Sequence, residues 1–233
     1  EVKINDGKLR YRIDKNKIRK IVGLKLEKIK RRSKFLLFFF SKNIVMLVHL
    51  GMTGKFFFVN EKSNKYKTSF YYSINEEKDK KHDHVVFFFS KNRKLIYNDV
   101  RKFGFIKFFN NQNLNNNLHL NKLGPEPLEK NFNYNYFKKY IVGRSRTIKD
   151  ILMDQKFLSG LGNIYTNEIL FLSKIKPTRK VKKLKNFELK KLIKFTRNVL
   201  DSSIKYGGSS IKDFSSSNGK KGSFQQHFNV YGK

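Results

Sequence analysis

Gln155-Lys156-Phe157-Leu158-Ser159-Gly160-Leu161-Gly162-Asn163-Ile164-Tyr165-Thr166-Asn167-Glu168-Ile169-Leu170-Phe171 runs from two glycines and an asparagine into an amphipathic helical stretch. Helix N-termini aim unpaired N–H groups outward and carry partial positive charge, which suits phosphate. Gly160 and Gly162 let a backbone come close to a ligand, and Asn163 is placed to cap the helix while its amide donates outward. On spacing alone the same stretch also reads as a loop turning into a core helix.

The residues around it fit a polyanionic partner. The 233-residue chain carries a formal charge of +34, which favours nucleic acid first and an anionic membrane second. Ala, Trp and Cys are absent while Lys, Asn, Ile and Phe abound. Those four are spelled by A- and T-rich codons, so part of the charge reflects coding bias. Without Cys the chain has no disulfide and no thiolate metal ligand. No stretch reaches the roughly 18 to 20 apolar residues of a membrane helix, and the first residues carry no secretory signal. The chain starts without Met, and Glu1-Val2-Lys3-Ile4 reads as the middle of a strand, so a start truncated upstream is expected.

Residues 1–112 read as β. Strands are expected at 8–13, 24–30, 34–40, 44–50, 55–59, 68–74, 84–89, 94–97 and 103–109, rich in Phe, Val, Ile and Tyr and separated by polar turns. Asp14 suits the cap of a short helix over 15–22. Many short strands predict a sandwich or barrel. An Asn-rich linker at 110–117 precedes helical spacing at 134–142, 147–153, 163–173 and 187–206. The expected class is α+β: an N-terminal β-sandwich over 1–112, a helical domain over 118–206, and a Gly- and Ser-rich tail over 207–233.

Further motifs lie along this frame in a fixed order. They are Lys30-Arg31-Arg32-Ser33-Lys34-Phe35-Leu36-Leu37, His49-Leu50-Gly51-Met52-Thr53-Gly54, His82-Asp83-His84-Val85 and Asn98-Asp99-Val100-Arg101-Lys102-Phe103-Gly104. Leu123-Gly124-Pro125-Glu126-Pro127-Leu128, Gly207-Gly208-Ser209-Ser210-Ile211-Lys212-Asp213-Phe214 and Val230-Tyr231-Gly232-Lys233 follow. Together with the opening stretch they resemble the formamidopyrimidine-DNA glycosylases over nearly the whole chain. The methionine loop and residues 123–128 favour that branch over the related endonuclease VIII branch.

The resemblance implies an enzyme of base-excision repair. It removes oxidised purines such as 8-oxoguanine and formamidopyrimidines from double-stranded DNA, then cleaves the abasic site by β,δ-elimination. Such an enzyme must extrude the damaged nucleotide and fill the gap. The resemblance assigns the filling to Met52, Arg101 and Phe103; Met is adaptable, Phe stacks, and Arg hydrogen-bonds an orphaned base. Read without it, Met52 and Phe103 are core residues and Arg101 a surface charge. The resemblance makes Lys34 an active-site proton donor, and a partly desolvated Lys suits proton transfer; otherwise it is a solvated turn residue. It gives phosphate contacts to His82, Arg101, Lys149 and Asn163, and lets Arg144 and Arg146 substitute for a basic residue replaced by Ser145. The His82-x-His84 spacing mimics a metal pair, but the resemblance argues against a metal there. The segment 207–224 matches the loop that closes over the extruded base, or else is a disordered tail.

The family's nucleophile is an N-terminal proline amine aided by a glutamate, attacking the sugar through a Schiff base. The resemblance sets Glu1 some two dozen positions into that pattern and puts a four-cysteine zinc finger beyond Lys233. The expectation is therefore an inactive fragment with no cofactor of its own. Damaged duplex DNA is its partner, with no membrane, and it is a monomer in a bacterial or organellar, nucleoid-associated compartment. The alternatives are a non-catalytic basic DNA-binding module, an endonuclease VIII-like glycosylase, or a general RNA-binding protein, for which no stacking motif is found.

Overall fold

The computed structural model describes residues 1–59, 80–209 and 223–232, with the backbone alone of 65–67. The strand expected at 68–74 and most of the 207–224 loop lie outside these residues. The chain divides into two compact units, Glu1–Asn116 and Asn117–Ser209, the latter joined by 223–232.

In the first unit, long apolar runs pair into two antiparallel sheets. One contains β2 (Leu26–Arg32), β3 (Phe35–Phe40), β4 (Ile44–His49) and β9 (Phe105–Asn110) in the order β2-β3-β4-β9. The other contains β1 (Val2–Ile4), β7 (Asp83–Phe89), β8 (Arg93–Asp99), β5 (Gly54–Val59) and β6 (Lys65–Lys67) in the order β1-β7-β8-β5-β6. Successive side chains on a strand face opposite ways. Phe38, Phe40, Met46, Val48, Ile106 and Phe108 therefore meet Phe56, Val85, Phe87, Leu95 and Tyr97 in one buried cluster between the sheets. Asn43 and Asn92 sit in left-handed turns before β4 and β8, a conformation asparagine tolerates.

Asp14 caps α1 (Lys15–Arg19) as expected, its Oδ1 accepting from the N–H groups of Asn16 and Lys17 at 3.0 Å. Ile18 and Ile21 from this turn enter the core. The strand expected at 8–13 is instead a closed loop. Ile13 N–H donates to the Gly7 carbonyl at 3.0 Å, and only an isolated bridge links Lys8 to Arg12. The alternating apolar residues there fit a strand, but folding back on itself leaves the segment no neighbouring strand to extend along.

The second unit is helical: α2 (Tyr134–Ile141), α3 (Ile148–Met153), α4 (Asn163–Leu172) and α5 (Asn186–Lys205). Asn133 caps α2 through Tyr136 N–H, and Thr147 with Asp150 forms a capping box on α3. Phe157 sits wholly buried at the centre, 4.7 Å ring to ring from both Phe137 and Tyr140. Gly124 rests on the turn after α3, where a Cβ would strike the backbone of Lys156 and Phe157. That close approach explains the glycine in the 123–128 motif. No helix among the described residues is long and apolar enough to cross a membrane.

Candidate nucleic-acid interface

Two loops of the first unit hold large side chains out in solvent. The β4–β5 loop presents Met52, 59% exposed, and the β8–β9 loop presents Arg101 and Phe103, the latter 45% exposed. The three are contiguous. Arg101 Nη1 donates to Met52 Sδ at 3.4 Å, and its guanidinium lies 4.5 Å from the Phe103 ring centroid. None of them is a core residue, so the plain reading of Met52 and Phe103 as core does not hold.

The loops stand on buried polar groups that sequence reading did not single out. Thr53 Oγ1 donates to Asp99 Oδ1 at 2.5 Å and accepts the Arg101 N–H at 3.0 Å. Asp99 Oδ2 accepts the Gly104 N–H at 2.8 Å and the Tyr97 hydroxyl at 3.3 Å. Burial, with Asp99 beside it, drives the Tyr97 phenol far above its ordinary pKa. A Cβ at Gly51 would strike the Phe103–Gly104 backbone, and one at Gly104 the Tyr97 hydroxyl. Lys102 pairs with Asp6 at 2.6 Å, and that hydrogen bond leads in holding the Asp6 carboxyl below its usual range.

Lys34 lies in the two-residue turn joining β2 to β3, after Ser33 at φ 55°. It keeps contact with solvent, yet the atoms packed around it hold its pKa below the ordinary lysine value by desolvation. His82 ends a 3₁₀ turn (Lys80–His82) and is half-buried. His84 is the extra residue of a β-bulge and is buried, its Nε2 2.8 Å from the Asp99 carbonyl. The His-x-His spacing therefore divides between a half-buried and a core position. Among the described residues no group of three or more candidate ligands is placed to hold a metal. Lacking cysteine altogether, these residues do not fit a four-cysteine zinc site either.

In the second unit the turn between α3 and α4 is tightly braced. Gln155 Oε1 accepts the Gly160 N–H at 2.8 Å while its Nε2 donates to the Leu161 carbonyl at 2.9 Å, and Gly160 has φ 98°. Gly162 takes the N-cap position without a side-chain bond, so the expectation that Asn163 caps the helix is corrected. Gly162 already has the extended backbone of a cap, which pushes Asn163 to the first helical position. There its side chain is exposed beside the N–H groups of the first turn.

Lys149 is the second residue of α3 and is half-buried. Arg146 bonds Asp154 at 2.6 Å and the Asp150 carbonyl at 3.0 Å. Arg144 donates to the Tyr140 carbonyl at 2.6 Å and stacks 4.2 Å over that ring. Both arginines brace the unit as well as carrying charge. Glu168, in the middle of α4 and 1% exposed, was also missed. Its Oε2 accepts from Asn229 N–H at 2.7 Å and Asn229 Nδ2 at 3.1 Å; Oε1 accepts from Val230 and Tyr231 N–H, both at 3.0 Å. Burial would raise its pKa, but these bonds outweigh burial and hold it below 4.5.

Residues 1–106 match the family model of the formamidopyrimidine-DNA glycosylase N-terminal domain, and residues 123–215 that of the formamidopyrimidine-DNA glycosylase H2TH domain. A β-sandwich followed by this helical unit defines a helix-two-turn-helix DNA glycosylase. Among curated proteins, the formamidopyrimidine-DNA glycosylases of Wolbachia pipientis subsp. Culex pipiens and Rickettsia bellii are each 37% identical over 233 residues, covering 100% of this chain and 80% of theirs. The Lactococcus lactis Fpg, solved in complex with DNA containing an abasic site, superposes with a TM-score of 0.82 at 29% identity, covering 100% of this chain and 80% of that one. The chain belongs to the formamidopyrimidine-DNA glycosylase family.

Proposed function

We propose that this chain flips an oxidised purine out of duplex DNA and fills the vacated stack with Met52, Arg101 and Phe103. Family membership gives the reaction class: a DNA-formamidopyrimidine glycosylase of base-excision repair with abasic-site lyase activity. The observation that carries the finer reading is the contiguous, exposed Met52–Arg101–Phe103 set on loops fixed from beneath. Leaving a Met and a Phe in water is worthwhile where they later enter a base stack. Extrusion costs a few kcal/mol, and the inserted groups offset it.

Lys34, with its lowered pKa, serves proton transfer at the extruded nucleotide. His82, Lys149 and Asn163 hold phosphates, Asn163 beside the open end of α4, where N–H groups and the helix dipole favour an anion. Arg144 and Arg146 add charge near the strand while bracing the α3 region. The partner is damaged double-stranded DNA; the Lactococcus lactis relative was solved with abasic-site DNA and with N7-benzyl-Fapy-dG DNA.

The test compares binding to a duplex holding an abasic-site analogue with binding to an undamaged duplex. Phe103→Ala and Arg101→Ala should weaken binding to the damaged duplex far more than binding to the undamaged one. Equal weakening on both would reduce these residues to backbone contacts.

A further inference from the structure

We infer that Asp99, acting through Thr53, is a positioning residue that sets the register between the two void-filling loops. This inference rests on the role given above to Met52, Arg101 and Phe103. The Thr53–Asp99 bond spans 46 residues of sequence and is buried. Thr53 directly follows Met52, and Asp99 lies two residues before Arg101. A carboxylate only accepts hydrogen bonds, so the Thr53 hydroxyl must donate to it and turn its lone pairs toward the Arg101 N–H. Proton order is thus fixed along Asp99, Thr53 and the Arg101 backbone. The second carboxylate oxygen holds the other end of the Arg101–Phe103 loop through Gly104. One side chain thereby ties the Met52 loop to both ends of its neighbour.

The exposed contacts among Met52, Arg101 and Phe103 are too weak in water to fix their own geometry. Buried hydrogen bonds in a low-dielectric surrounding are stronger and directional. The rigidity of the set therefore comes from the Asp99–Thr53 pair beneath it. Asp99 touches neither base nor phosphate in this role; it acts through the loops.

The test uses the full gene product and five variants: Thr53→Ser, Thr53→Val, Asp99→Asn, Arg101→Ala and Phe103→Ala. Single-turnover excision of an oxidised purine is measured in a fully paired duplex and again opposite an abasic nucleotide, where no base is orphaned. Thr53→Ser keeps the hydroxyl and should match the parent on both. Thr53→Val and Asp99→Asn should lose about tenfold to about a hundredfold on the paired duplex, the scale of a misplacement on the order of 1 Å. Opposite the abasic nucleotide they should lose several times less. Parent-like rates for Thr53→Val, or equal losses on both substrates, overturn the positioning role. Should Asp99→Asn fail to fold, the two Thr53 variants decide. If Arg101→Ala and Phe103→Ala also lose equally on both, the void-filling reading itself fails; if they discriminate and Thr53→Val does not, only the role of Asp99 and Thr53 falls.

Discussion

Replacing Glu168 by Gln will release the backbone of residues 229–231 from α4. The carboxylate accepts four N–H bonds, two on each oxygen, at 2.7 to 3.1 Å. An amide keeps one acceptor oxygen and turns an NH₂ toward the other two donors. A hydrogen bond to a charged group contributes about 1.5–3 kcal/mol, so losing two sets a ceiling of about 3–6 kcal/mol. Asn229 and Tyr231 are exposed, so water reaches the released amides and lowers the net loss to about 2–3 kcal/mol. At 1.36 kcal/mol per decade this is about a thirtyfold to a hundred-and-fiftyfold change in a local opening equilibrium. Amide hydrogen exchange at residues 229–231 reads that change directly. The folded-state pKa of Glu168 lies below its unfolded value, so its stabilisation is present above pH 4.5 and is lost as pH falls through the folded value. Glu168→Gln should therefore exchange faster at neutral pH and converge with the parent in acid. Unchanged protection at pH 7 would refute the view that this carboxylate holds the segment.

Other consequences follow from the same geometry. Asn163→Ala should change stability by no more than about 0.5 kcal/mol, because the side chain caps nothing, yet weaken DNA binding across all sequences; a large drop in melting temperature or intact binding contradicts this. Duplex binding should fall with salt at a log–log slope near −5, as about six phosphate contacts require; binding that hardly changes with salt would reject a phosphate grip. In the full gene product, Lys34→Met should abolish efficient excision, read as single-turnover release of an oxidised purine; parent-like release would remove Lys34 from proton transfer.

Much of this was legible in the chain. The β2 to β5 and β7 to β9 runs, the Asp14 cap and the four helices of the second unit follow from apolar period and turn chemistry, which are local. Alternation over 8–13 suits a strand, but alternation alone does not provide a neighbouring strand, and the segment closes on itself. Asn163 has the chemistry of a cap, but Gly162, with no side chain to advertise it, takes that position. Asp99 and Thr53 escaped notice because a buried bond across 46 residues leaves no periodic trace. Glu168 left one unused signal: a carboxylate between Asn167 and Ile169, Leu170 on a buried helix face demands partners. The contiguity of Met52, Arg101 and Phe103 was available only through the family resemblance, since the two loops meet in space and not in sequence.

Single-turnover release of a formamidopyrimidine base from duplex DNA by the full gene product, followed for the parent, Arg101→Ala and Phe103→Ala beside their binding to undamaged DNA, tests the central claim most directly. The parent should excise the base, and each variant should lose excision far more than it loses undamaged-DNA binding. No release by the parent, or losses of equal size in both assays, would contradict the claim that this chain flips a damaged purine and fills its place.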